Sequence, residues 1–301
     1  MGTSYSIKFS SLDTPIYKIQ KDIDNILDSI NNQMSTYKGD SEISIFNKSV
    51  SNLSQEISSD FYYVLDKSKY YYEMSEGLFD ITVEPLSELW GFYDEKFTFP
   101  NKKSIDSTKA YIGFNKIKLL DNNRIIKSNN QVKINLNAIA KGYAVDKISE
   151  YFESNNVKNY MVEIGGEVRT KGENASGEKW RIGLSSFELE LGGIIEYVAV
   201  NDASLATSGD YRNFIIYNGV SYSHVINPKT GYPTTNNVVS ATIIAKRCID
   251  ADALATIVNV MSVDESMTLI NKIDGVECLV VERNGEKINY YYSKNMKDYI
   301  N

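Results

Sequence analysis

Few side chains in this sequence can do chemistry, and their placement narrows what that chemistry is. One histidine, His224, and two cysteines, Cys248 and Cys278, stand among 301 residues. Zinc sites of the two- or three-histidine kind are excluded, as are a four-thiolate metal site and a disulfide framework. A Ser-His-Asp triad remains open only through His224. The other candidates are carboxylates and hydroxyls. In Cys248-Ile249-Asp250-Ala251-Asp252-Ala253-Leu254-Ala255-Thr256, small residues flank two carboxylates where a helix begins. Asp252 and Thr256 are four apart and share a helix face. Their hard oxygens suit Mg²⁺ that also holds phosphate oxygens. Alternatively, Asp250 or Asp252 caps the helix and complements its dipole.

In Ile134-Asn135-Leu136-Asn137-Ala138-Ile139-Ala140-Lys141-Gly142-Tyr143-Ala144-Val145-Asp146, a strand runs into a helix through small residues. Free amides at that helix start, with Lys141 nearby, can receive a phosphate. The spaced glycines of a P-loop are absent, and Lys141 reads equally well as a solvated surface lysine. Gly165-Gly166 permits a tight turn or a close approach to a ligand. Thr207-Ser208-Gly209-Asp210-Tyr211-Arg212 is able to hold phosphates or is a plain loop. His224 ends a strand ahead of Asn227-Pro228-Lys229-Thr230-Gly231-Tyr232-Pro233, whose Pro and Gly read as turns. The aromatics of Tyr37, Phe79 and Trp90-Gly91-Phe92 either line a flat-ring pocket or belong to the core.

These groups need elements to hold them. Residues 3–10 alternate as a strand, and Asp13-Thr14-Pro15 reads as a capped helix start. The spacing of Ile16, Ile19, Ile23, Ile26, Leu27, Ile30 and Met34 predicts an amphipathic helix. Further helices are expected over 59–76, stopped by Gly77, and over 137–154, 250–262 and 264–272. Strands are expected within 117–134 around Asp121-Asn122-Asn123, and at 157–164, 179–185, 194–201, 213–218 and 238–245. A final pair, 276–283 and 286–292, flanks Asn284-Gly285, a type I′ hairpin signal. Hairpin-spaced strands with segregated helices indicate α+β rather than a parallel array.

Composition agrees with a globular chain: 42% hydrophobic and 24% charged residues. The net charge of −7, with no basic block, argues against nucleic-acid binding. No apolar run approaches the length of a membrane span. Met1-Gly2-Thr3-Ser4-Tyr5-Ser6 formally fits a myristoylation pattern, but the segment continues directly as a strand and does not read as a signal peptide.

Taken in order, Gly77 to Pro85, Ala140 to Asp146, Thr207 to Tyr211, His224 to Pro233 and Ala251 to Thr256 closely resemble the motifs of the ApbE family of flavin transferases. The resemblance runs from Met1-Gly2-Thr3 to the last hairpin. It implies an ApbE-like, T-fold-related α+β fold of mainly antiparallel sheets with packed helices. The implied organisation is a single domain over 1–301, made of two interleaved, intimately associated subdomains with FAD in the cleft between them. The implied activity is Mg²⁺-dependent transfer of FMN from FAD to a threonine hydroxyl of an acceptor flavoprotein, releasing AMP.

By position, the resemblance assigns the metal to the side chains of Asp252 and Thr256 and the carbonyl of Ala138. It assigns FAD contacts to Met1, Tyr37, Phe79, Asp80, Ile81, Asn135, Lys141 and Ile226, with Thr207 and Ser208 in the same set. His224 matches the base expected to deprotonate the acceptor, and Lys141 and Asp252 join it as catalytic residues. The family departures are Asn135 and Asn227 where aspartate is usual, Asn137-Ala138 for Gly-Gly, and Glu167 for Asp. Water as the attacking group would make the protein an FAD pyrophosphatase, and loss of chemistry would leave an FAD-binding protein. The implied acceptor is a subunit of a membrane redox complex or an extracytoplasmic flavoprotein. The implied location is the outer face of a bacterial cell membrane, as a lipoprotein whose lipid-bearing cysteine is absent from this sequence, with the cytoplasm as the alternative. Cys248 and Cys278 could pair there or remain buried thiols.

Overall fold

The alternating amino-terminal segment forms the strand Tyr5–Phe9, which pairs antiparallel with Tyr160–Ile164. The computed structural model describes residues 2–300 apart from 11, 13, 93–98, 186–193, 210–213 and 218–219. A seven-stranded sheet follows from that first pairing. Its order is Tyr5–Phe9, Tyr160–Ile164, Glu167–Lys171, Ser204–Gly209, Val238–Ala245, Glu277–Asn284 and Lys287–Tyr292. Every pairing between the described strands is antiparallel. Helices accompany these sheets, which is the α+β class expected. The expected helix at the amino terminus runs Ile16–Met34, while its Asp13 cap lies outside the described residues.

Two compact units divide the chain: Met1–Leu27, Lys141–Tyr211 and Asn237–Asn301 in the first, Asp28–Ala140 and Arg212–Asn236 in the second. In the first unit, the helix Cys248–Val260 packs on the strands Val238–Ala245 and Ser204–Gly209. It is buried almost all round, so its apolar residues show no single face. A core of Leu184, Val198, Val200, Leu205, Ile244, Leu279, Val281 and Met296 forms within the same unit. Cys248 and Cys278 are buried there and neither is in a disulfide.

The helix Ala140–Ser154 supplies Asp146, which is fully buried. Its carboxylate accepts from the amides of Cys248 and Ile249 at 3.1 and 3.0 Å, at the start of the Cys248–Val260 helix. It also accepts from Arg169 Nη1 at 2.6 Å and from Arg247 Nε at 3.4 Å. The charge thus sits against a positive helix terminus and two guanidinium groups.

The second unit holds the sheet Gln55–Glu56, Arg124–Lys127 and Ile117–Leu120, in that order. Its helices Glu42–Lys48, Ser59–Met74 and Lys102–Lys109 are capped by the side chains of Ser41, Ser58 and Asn101. A fourth, Glu84–Trp90, carries Pro85 in its first turn. Leu86, Trp90, Ile105 and Ile226 form its core, and the Trp90 indole donates to the Gly231 carbonyl at 2.8 Å. Lys127 is buried, its ammonium donating to the carbonyls of Asn47, Asn130 and Val132 at 3.0, 3.4 and 3.1 Å. Burial, reinforced by Lys133, pushes that ammonium down to about 8.

Some expected boundaries shift. The helix expected from 137 starts at Ala140, and the one expected from about 250 starts at Cys248. Asn284 pairs with Lys287, so the last hairpin turns on Gly285 and Glu286. Of these two, only Gly285 has positive φ, the pattern of a type II′ turn rather than the expected type I′. Gly165 and Gly166 both have positive φ between the paired residues Ile164 and Glu167, which makes them a tight turn.

Asp146→Ala would leave Arg169 and two helix amides facing an empty buried space. It is expected to cost about 3–5 kcal/mol of stability, read as a lower urea midpoint with an unchanged slope.

Candidate functional site

An α-helix leaves its first amides without intrahelical acceptors. At the start of Ala140–Ser154, the amides of Ile139 and Ala140 turn back to the Leu136 carbonyl, at 3.1 and 2.8 Å. The Gly142 amide donates instead to Asp252 Oδ2 at 2.8 Å. The anion at this helix start is therefore a side chain of the protein, where the sequence suggested room for a phosphate. Asp252 does not cap its own helix. That end is served by Asp146, so each helix provides the carboxylate at the other's first turn. Gly142 permits the approach: a Cβ there would lie 2.4 Å from the Cys248 carbonyl oxygen and 2.8 Å from Asp252 Cβ.

Lys141 projects from the same turn, and its Nζ lies 2.5 Å from Glu167 Oε1. It is no solvated surface lysine. Glu167 is the first strand residue after the Gly165-Gly166 turn and is 2% exposed, with its Oε2 lacking a hydrogen-bond partner. Burial raises the Glu167 carboxyl, the charge of Asp252 raises it further, and Lys141 opposes both. Burial likewise raises Asp252, against Lys141 and the Gly142 amide. Although burial pulls Lys141 down, Asp252 and then Glu167 hold its ammonium above the ordinary lysine range. The neighbouring Cys248 thiol is pushed well up by burial, then by Asp146.

Burial and mutual repulsion thus favour a proton on these carboxyls, and a bound cation would favour their ionised forms instead. Among the described residues, no group of three or more His, Cys, Asp or Glu could hold a metal. A cation here would rest on the oxygens of Asp252 and Thr256, one helical turn apart, plus main-chain and substrate oxygens. Mg²⁺ has that habit, so the donor set fits it.

In the second unit, Asp80 caps the short 3₁₀ turn Ile81–Val83. Its Oδ1 accepts from the Thr82 amide at 2.9 Å and the Thr82 hydroxyl at 2.6 Å, and that hydroxyl accepts from the Gly113 amide. Phe79 and Ile81 are buried, so their offer to a ligand is main chain. Trp90 is fully buried among Phe99, Tyr222 and Tyr232, the core alternative of the two. The Asn135 amide donates to the Ile81 carbonyl at 2.8 Å, and Asn135 Nδ2 donates to Glu84 Oε2 at 2.5 Å. Asn47 holds the neighbouring residue by both its main-chain groups, donating to the Ile134 carbonyl and accepting from the Ile134 amide, each at 2.8 Å.

Tyr37 is 82% exposed beyond the end of the Ile16–Met34 helix. Ala138 lies in the turn ahead of Ala140 and is half-buried, as is His224 between the strands Val220–Ser223 and Ile226–Asn227. Ile226 is buried. Asn227 Oδ1 accepts from the amides of Lys229 and Thr230 at 2.9 and 3.3 Å, a turn that asparagine and aspartate make alike.

Thr207 and Ser208 occupy a central strand, not a loop. Adjacent strand residues face opposite sides, so one ligand cannot use both side chains from one face. The Thr207 hydroxyl lies 2.9 Å from that of its cross-strand partner Thr242. Met1 and 210–212 lie outside the described residues. Sequence reasoning missed Glu84 and the engagement of Glu167. It also passed over Gly142, although a glycine inside a helical pattern signals close packing.

The model of the ApbE family matches residues 1–280. An FAD:protein FMN transferase of Vibrio cholerae is 35% identical over 100% of this chain and 90% of its own length. One from Haemophilus influenzae is 38% identical over 90% of this chain and 82% of its own. The solved flavin transferase ApbE from Vibrio cholerae has a TM-score of 0.90 at 35% identity, covering 99% of this chain and 96% of that one. For the apo Pseudomonas stutzeri flavinyl transferase ApbE the TM-score is 0.89 at 28% identity, covering 99% and 94%.

Burial raises Asp80 to about 6, against the bonds from Thr82 and Gly113. A carboxyl raised on folding loses its contribution to stability as pH climbs through the folded value. Asp80→Asn accepts the same Thr82 bonds without the charge. The variant should match its parent below pH 4 and exceed it above pH 6, by on the order of 1–3 kcal/mol, in urea midpoints measured across that range.

Proposed function

The chain belongs to the ApbE family, and on that premise we propose that it is an FAD:protein FMN transferase that uses Mg²⁺, a threonine acceptor and AMP as leaving group. Its likeness along the whole chain to relatives of that name carries the reading. The threonine oxygen attacks the FMN phosphorus of FAD, the bond from that phosphorus to the bridging oxygen breaks, and AMP leaves. The hydroxyl proton passes to His224, whose imidazole is the side chain that ordinarily titrates near neutrality.

Lys141 supplies positive charge to the pyrophosphate oxygens. Asp252 and Thr256, with the Ala138 carbonyl, are the groups that would hold Mg²⁺. When bound, that ion would neutralise charge building on the departing phosphate. Tyr37 offers an exposed ring for stacking on a heterocycle. Asp80 and Asn135 offer polar groups, and Phe79 and Ile81 offer main chain. Ile226, Met1 and, from one face of their strand, either Thr207 or Ser208 complete the proposed flavin set. The proposed acceptor is a flavoprotein of a membrane redox system. The proposed location is the outer face of a bacterial membrane.

The test is incubation with FAD, Mg²⁺ and an acceptor domain bearing the threonine, read by intact mass for one added FMN and by release of AMP. Free FMN without acceptor would instead identify a hydrolase, and binding without turnover a carrier. His224→Ala should leave FAD affinity unchanged and slow transfer by about 10²–10⁴-fold; undiminished transfer removes His224 from the reaction. Asp252→Ala should abolish turnover, and parent activity that persists in EDTA counts against the metal.

A further inference from the structure

A fully buried carboxylate oxygen without a partner is uncommon and calls for an explanation. Glu167 Oε2 is such an atom. The other oxygen of the same carboxylate holds Lys141, and the Lys141 ammonium also feels the charge of Asp252. Asp252 is in turn tied to the amide of Gly142, the residue after Lys141. One helical turn therefore serves two buried carboxylates, one by ammonium and one by amide.

We propose that Glu167 is a positioning residue that seats the Lys141 ammonium, so that the lysine does not compete with a divalent cation for Asp252. The proposal rests on the Mg²⁺ reading above. With all three groups ionised, the charges of Lys141, Asp252 and Glu167 sum to minus one, a state that burial of the two carboxylates opposes. A divalent cation at Asp252 turns that sum to plus one, and the Glu167 carboxylate then keeps the ammonium in place beside it. Remove the Glu167 charge and Lys141 has Asp252 as its one carboxylate in the cluster. It becomes an internal competitor for the cation. The unpartnered Oε2 fits this role, since it leaves acceptor capacity for an ammonium that shifts within the site.

The experiment measures Mn²⁺ binding to the flavin-free protein by electron paramagnetic resonance of the free ion. Glu167→Gln keeps the side-chain shape and should weaken Mn²⁺ affinity about tenfold, a coupling of ordinary size for neighbouring charges. Adding Lys141→Met removes the competitor and should return affinity to within about twofold of the parent. Glu167→Asp keeps the charge, should lose less than Glu167→Gln, and serves if that variant fails to fold. Unchanged affinity in Glu167→Gln overturns the proposal. So does a double variant as weak as the single one, which would make Glu167 a metal ligand. A parent that binds no Mn²⁺ overturns the cation reading beneath it and this proposal together. The predicted pattern in a protein that transfers no FMN supports the exchange and overturns the transferase reading instead.

Discussion

Two helices in the first unit each place a carboxylate on the other's first turn, and the placement of Lys141, Asp252 and Thr256 depends on the exchange. Asp146 reaches the amides of Cys248 and Ile249. Asp252 reaches the amide of Gly142. Such bonds satisfy helix ends that would otherwise need water, and they set the rotation and depth of each helix relative to the other. A buried carboxylate is expensive unless several donors meet it, which is why Arg169 and Arg247 also converge on Asp146. The arrangement specifies position more than it adds stability. Lys141 and Thr256 inherit that position, since each lies within a turn of one of the exchanged contacts. A methyl group on Gly142 would push the Cys248 carbonyl and Asp252 away together.

The second unit organises its candidate residues by different means. Here the main chain is held by neutral amides and by one cation among carbonyls. Asn47 grips both main-chain groups of Ile134, and Lys127 gathers the carbonyls of Asn47, Asn130 and Val132. Asn135, at the end of that stapled stretch, sits against the buried Glu84 carboxylate. An aspartate at this position, which the motif resemblance implies, would set two carboxylates in one dry place, so that one would have to take up a proton. Asparagine donates where aspartate could not. The exchange is thus explained by its neighbour, and the Asn227 exchange by a turn whose acceptor oxygen both residues possess.

Much of this was legible beforehand because it rests on periodicity and turn chemistry. The spacing from Ile16 to Met34 and the alternation in Tyr5–Phe9 are local properties, and the corresponding elements formed. The sequence shows no clear period for the short helices Glu42–Lys48, Glu84–Trp90 and Lys102–Lys109, although it does for the equally short Val263–Ile270. The sequence marks Asp252 as chemically important but does not show that its partner is the amide of Gly142, since 110 residues of chain separate them. Glu167 looked like a mere departure from a family pattern because nothing in its own neighbourhood names Lys141. The strand character of Thr207 and Ser208 was hidden for a similar reason: small polar residues read as loop until sheet neighbours pair with them.

The two thiols carry a consequence for handling the protein. Both lie deep in the first unit, Cys248 at the first turn of the site helix and Cys278 in a central strand, where burial pushes its thiol up to about 12. Thiolate is the reactive form, so a closed molecule presents neither sulfur to an alkylating reagent. Labelling can proceed only as fast as the helix or the sheet opens. The chain therefore contains two native timers of its own breathing, one beside Asp252 and one in the sheet. Their unequal rates would separate local loosening at the site from opening of the unit as a whole.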